Sequence, residues 1–274
     1  MRLRTVLATA AATAIAAISL PAAQAAPGNA VVLGDSLAAN PTVYDFAAGK
    51  ANLPLPDARI SKAGCGTDFR FSGAYGAAAG RHVDDYTCAG ASYRTGGMRI
   101  AEQIQRARDN GDLNGSTREV VMLAGANDTY PYVLNDHMPV PEVRENLRAA
   151  VREAIHQAKA AAPNAVVKVV GYPTVSAPDG TVCVFNLAPN APGAPTPGVN
   201  IREIEDALQG AVADAARDAG ARFVDSKRVT GGHGTCAADP WVAGIVSMNA
   251  GPHNLILHMT DAGLDAVGGN AARG

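Results

Sequence analysis

Four short runs of apolar, mostly β-branched residues punctuate the chain: Ala30 to Leu33, Glu119 to Ala124, Ala165 to Val170 and Ala221 to Val224. Their apolarity is continuous rather than alternating, the pattern of strands covered on both faces, as in a parallel sheet. Between them the period becomes helical. Val143, Leu147, Val151, Ile155 and Ala158 mark one stripe, and Ile201, Ile204, Leu208, Val212 and Ala215 mark another. Asn200 stands where it can cap the second of these helices, and Gly220 where a C-terminal glycine ends it. A shorter helix is predicted from Met98 to Arg108, before Asn110-Gly111, and a final one from around Asp261. Strand and helix alternate, which predicts a three-layer α/β/α sandwich with a mainly parallel central sheet and right-handed crossovers. In such sheets ligands gather beyond the carboxyl ends of the strands.

Two segments break the pattern. Residues 176–198 carry Pro178, Pro189, Pro192, Pro195 and Pro197 with few periodic apolars, a long surface excursion; residues 227–252 form a second irregular stretch. The chain has 274 residues, 47% of them hydrophobic, enough for one substantial core. Met1-Arg2-Leu3-Arg4, an apolar stretch from Val6 to Leu20 and the small-residue series Ala23-Gln24-Ala25 are built like a cleavable secretory signal, so residues 1–25 are expected to be a signal peptide and 26–274 the single domain. Export places Cys65, Cys88, Cys183 and Cys236 in an oxidising compartment, where four cysteines read as two disulfides. Three connectivities are open; Cys65–Cys88 with Cys183–Cys236 is favoured, because each closes a moderate loop in an irregular region. The net charge of −2 and the scattered Lys and Arg give no basic face for nucleic acid.

The candidate chemistry lies at the predicted strand ends. Gly34-Asp35-Ser36 delivers a hydroxyl as the first apolar run stops. Gly125-Ala126-Asn127-Asp128 follows the second run, and a carboxamide there can donate to an oxyanion. Between them Gly90, in Cys88-Ala89-Gly90-Ala91, can bring a backbone N–H close to a ligand. His258, ahead of the final helix, can serve as a general base, with His253 its nearest rival.

In order and spacing these blocks resemble the SGNH, or GDSL-type, hydrolases, and "VVGYP" at 169–173 with "GHGTCAADPW" at 232–241 resembles their secreted actinobacterial esterase/lipase branch. The resemblance covers nearly all of the mature chain. It implies a flavodoxin-like sheet and a serine ester hydrolase, secreted and needing no metal or cofactor. Ser36 would attack the carbonyl and His258 accept its proton, while the N–H groups of Ser36 and Gly90 and the Asn127 side chain hold the oxyanion. The substrate implied is a small-molecule or lipid ester, met by a monomer that can touch a lipid or cell-envelope surface. A carbohydrate O-deacetylase uses the same machinery, and a catalytically silent envelope-binding protein would share the fold.

One position departs from the family pattern. The aspartate usual three residues before the histidine is replaced by Leu255, and Met259 replaces the proline that commonly follows. Either a backbone carbonyl from around Trp241 to Leu255 orients the imidazole, or Asp239 or Asp261 reaches in. The carbonyl is preferred, because Asp261 reads as a helix-start residue and Asp239 precedes Pro240 in a turn. Asp35 is assigned to the local turn.

Overall fold

The computed structural model describes residues 28–51, 53–56, 59–251 and 253–274; the expected signal segment lies outside them. Its central sheet has five parallel strands: β1 (Ala30–Gly34), β2 (Val83–Asp85), β3 (Glu119–Leu123), β4 (Val166–Val170) and β6 (Arg222–Val224), in the order β2-β1-β3-β4-β6. Four of these are the continuous apolar runs, and β1 and β3, both interior, are buried almost throughout. The second strand hid from the hydrophobic pattern because it is Val83-Asp84-Asp85. Its acids are satisfied by distant groups: Asp84 by Lys62 at 2.6 Å and Asn29 at 2.7 Å, Asp85 by Ser72 at 2.6 Å.

Helices cover both faces, giving the three-layer α/β/α sandwich. On one side α1 (Ser36–Ala39), α3 (Arg70–Ala79) and α9 (Asp261–Arg273) pack together; on the other, α4 (Ile100–Asp109), α6 (Val140–Ala161) and α7 (Arg202–Asp218) do so. The first stripe is buried along the whole of α6; of the second, Leu208, Val212 and Ala215 are buried in α7, while Ile201 precedes the helix and it and Ile204 are only partly covered. α4 begins two residues later than expected, after Arg99 in an extended conformation. Asn200 does accept an N–H of the α7 start, from Arg202 at 3.1 Å, although the helix proper begins after Ile201. Gly220 adopts φ +62 as a C-terminal glycine should. Short α2 (Val43–Lys50), α5 (Tyr130–Leu134) and α8 (Lys227–Thr230) are the other α-helices among the described residues.

The two irregular segments meet. Phe185–Asn186 (β5) pairs in parallel with Val246–Ser247 (β7), and Cys183–Cys236 joins the same regions; Cys65–Cys88 is the other disulfide. The proline-rich excursion is therefore stapled to the stretch that leads to His258.

Under the α3/α9 layer, Lys168 of β4 is 2% exposed. Its Nζ pairs with Glu119 at 3.1 Å and donates to the carbonyls of Ala271 and Ala272 at the end of α9. A buried ammonium is tolerated only when so paired.

Candidate active site

The sheet order reverses direction at β1, flanked by β2 and β3, and Ser36, Gly90 and Asn127 follow the carboxyl ends of these three strands. Gly34 closes β1, where a Cβ would lie 2.7 Å from the Leu123 carbonyl and 2.8 Å from Ala38 Cβ, so only glycine lets α1 turn off the strand so tightly. Its backbone is gripped from α4. The Gln103 amide accepts from Gly34 N–H and donates to Gly34 C=O, both at 2.9 Å, while Cys88 N–H reaches the same carbonyl at 3.0 Å. Asp35 then caps α1, its Oδ1 accepting Leu37 N–H at 2.9 Å. Ser36 opens the helix, half-buried.

Asp35 does more than the local turn assigned to it. Its other oxygen accepts from the Tyr172 hydroxyl, and that hydroxyl in turn accepts the Ala126 N–H at 3.0 Å. One buried link thus runs from the residue before Ser36 to the residue before Asn127. Burial pushes the Asp35 carboxyl up to about 7, the Tyr172 and Leu37 hydrogen bonds offsetting part of the rise. Asp128 plays a parallel part. It takes the N–H groups of Tyr93 and Arg94 at 2.7 and 2.9 Å, tying the Gly90 loop to the Gly125 turn, and burial raises it to about 6.

Three donors remain available among the described residues. Ser36 N–H lies in the first helical turn with no carbonyl partner, and Gly90 N–H, in a loop where Gly90 has φ +81, also donates to none. Asn127 Nδ2 gives one hydrogen to Ala91 C=O at 2.8 Å and keeps its second. The carboxamide is thereby seated against the glycine loop.

His258 lies just before α9. The entry of that helix is fastened near the end of α1: Arg70 bonds Asp261 at 2.9 Å, and Asp68 N–H bonds Ala39 C=O at 3.0 Å. His258 Nδ1 lies 2.8 Å from the Ile256 carbonyl. A carbonyl can only accept, so Nδ1 carries the hydrogen and the neutral ring presents its lone pair on Nε2. That Nε2 is buried without a partner. Burial holds the imidazole below its ordinary value, the Ile256 bond working against it. Ser36 Oγ and His258 Nε2 share no hydrogen bond here, whereas Cys88 with Gly34 and Asn127 with Ala91 are in direct contact.

The orienting carbonyl comes from Ile256, one residue beyond the segment expected to supply it. Both candidate acids are engaged elsewhere. Asp261 bonds His253 Nε2 at 3.0 Å, and Asp239 stands beside His233 and Trp241. Sequence reasoning missed Gln103 and Tyr172; the second sits in the "VVGYP" block, which carried the family likeness but no assigned role.

Residues 32–266 match the GDSL-like Lipase/Acylhydrolase family. Lipase 2 of Streptomyces coelicolor is 34% identical over 97 residues, a match covering 35% of this chain and 32% of that protein, so the aligned part spans about a third of the relative's length. Among solved structures, the extracellular lipase of Streptomyces rimosus superposes with a TM-score of 0.57 at 20% identity, covering 88% of this chain and 96% of that one. The phospholipase A1 of Streptomyces albidoflavus gives 0.53 at 21% identity over the same shares. These likenesses speak to the fold.

Proposed function

The chain belongs to the GDSL-like lipase/acylhydrolase family, and on that premise we propose that it is a secreted serine hydrolase of carboxylic acyl esters, working through Ser36 and His258. Ser36 Oγ attacks the ester carbonyl as its proton passes to His258 Nε2. The carbonyl oxygen, now negative, takes hydrogen bonds from Ser36 N–H, Gly90 N–H and the free Asn127 hydrogen. The bond to the alcohol breaks, and the alcohol leaves with the proton from Nε2. Water then attacks the acyl-serine, gives its proton to the same nitrogen, and the acid departs as that proton returns to Oγ.

The observation that carries this reading is the state of His258: Nδ1–H anchored on a carbonyl, and Nε2 unprotonated, buried and unpartnered. Catalytic hydrogen bonds often tighten only when substrate binds, so the open Oγ–Nε2 pair is compatible with the role. Without a carboxylate the imidazolium is less helped electrostatically, which makes the pair a Ser-His dyad. Secretion draws support from the two disulfides, which persist in oxidising surroundings.

The test is hydrolysis of a short nitrophenyl ester, with titration by an organophosphonate. Wild type is expected to turn over the ester and take up one phosphonate per chain, and Ser36→Ala to do neither. A folded wild type that is silent in both assays overturns the proposal in favour of a binding protein of the same fold.

A further inference from the structure

Two clefts flank α2 and share no lining residue. The first, about 600 Å³, runs between α2 and the 53–66 segment, with Phe46, Leu53, Leu55 and Ile60 among its walls. The Cys65–Cys88 disulfide lies along it and leads to Ala89, the residue before Gly90. The second, about 460 Å³, is bordered by Val43, Ala250 and Ile256, on the loop that bears His258. Both volumes fall in the range of small-molecule sites.

Resting on the proposed function, the geometry points to a division of labour: the 600 Å³ cleft takes the aliphatic acyl chain of the ester, and the His258-side cleft takes the alcohol. The argument is one of directions about the tetrahedral carbon. One substituent is Ser36 Oγ and a second is the oxyanion. The third, the alcohol oxygen, must lie beside Nε2, because that nitrogen returns the proton to it. The alcohol therefore departs toward the loop carrying Ile256 and His258. The acyl chain takes the remaining direction, away from that loop, and the other cleft on α2, lined by Ala89 next to Gly90, is the one left to receive it.

The chemistry of the cleft suits a hydrocarbon. Its walls are more apolar than polar, and the Asp45 carboxylate within it has a fully buried side chain, its Oδ2 bonded to Thr42 at 2.8 Å and Arg59 at 3.2 Å while its Oδ1 has no partner. The charge of Lys50 lies over the Phe46 ring. Width is left by glycines: a Cβ on Gly49 would meet nothing within 4 Å, and one on Gly66 would press on Leu55 at 3.2 Å. Asp45, Phe46, Gly49 and Lys50 share one face of α2, so the cleft follows the helix for about 8 Å, the rise from Asp45 to Lys50.

The experiment measures kcat/KM for acetyl and octanoyl nitrophenyl esters in wild type, Gly49→Trp and Ala250→Trp. Filling the first cleft should lower the octanoyl-to-acetyl ratio about tenfold or more. Filling the second should leave that ratio in place and instead raise KM for a series of bulkier alcohols at fixed acyl group. Gly49→Leu, a smaller addition at the same exposed helical position, gives the same shift in lesser degree and decides the matter should the tryptophan variant not fold. An unmoved ratio in a folded Gly49 variant, or a ratio moved by Ala250→Trp instead, overturns the assignment while leaving ester hydrolysis intact. A wild type inactive on both esters overturns the proposed function along with it.

Discussion

Replacing Tyr172 by Phe removes one oxygen and strands two buried groups. Asp35 Oδ2 loses its donor, and the Ala126 N–H loses its acceptor. The orphaned N–H costs about 1–3 kcal/mol, and the carboxyl about 1 kcal/mol when neutral or about 1.5–3 when ionised. The loss should therefore depend on pH. In the folded protein Asp35 holds its proton to about 7, against 3.8 for an exposed aspartate, so between these values the folded state binds more protons than the unfolded. Its stability contribution is full below 3.8 and is lost as pH rises through 7, by about 4 kcal/mol in all. Without the Tyr172 donor the folded carboxyl titrates higher still. Urea unfolding should then give a destabilisation of about 3 kcal/mol near pH 5, growing to about 4 near pH 9. Since the link spans Ser36 and Asn127, kcat should fall about tenfold to a hundredfold with KM little altered. Equal destabilisation at both pH values, or a loss under about 1 kcal/mol near pH 9, would refute the reasoning.

Asn127→Ala should lower kcat/KM for a nitrophenyl ester by about a hundredfold or more, the worth of one oxyanion donor, with the fold intact by circular dichroism. His258→Asn should abolish turnover, whereas His253→Ala should stay within a few-fold of wild type; comparable losses from both would reassign the base. Because His258 is held below 6.5 and in the proposed mechanism works as the free base, the acid limb of the kcat/KM profile should fall off below pH 6.5 as pH drops. Replacing Cys183 and Cys236 together by Ser, which opens a span of 53 residues, should cost about 4 kcal/mol in urea unfolding.

The strands that sequence made legible are those whose burial is written in their own side chains. Val120 to Leu123 face helices on both sides and read as such. β2 was opaque because Asp84 is paired with Lys62 and hydrogen-bonded by Asn29 and Asp85 is hydrogen-bonded by Ser72, partners that no local window contains. The site divides the same way. Ser36, Gly90, Asn127 and His258 lie in recognisable blocks, but Tyr172 is 137 positions from the Asp35 it serves. Gln103 looked like any polar residue on an amphipathic helix, although it is fully buried and grips Gly34. The group that holds His258 had no signature at all, since every residue owns a carbonyl.

That last point bears on how such a site tolerates genetic drift. An acceptor carried by the main chain survives any side-chain exchange, so saturation mutagenesis should find position 256 permissive where a carboxylate partner would admit almost no replacement. Intolerance moves to whatever shapes the peptide path, and between the acceptor and the ring stands Leu257 at φ +58, a conformation glycine adopts freely and β-branched residues resist. Isoleucine or valine at 257 should disarm the enzyme more thoroughly than any substitution at 256, and glycine there should be welcome.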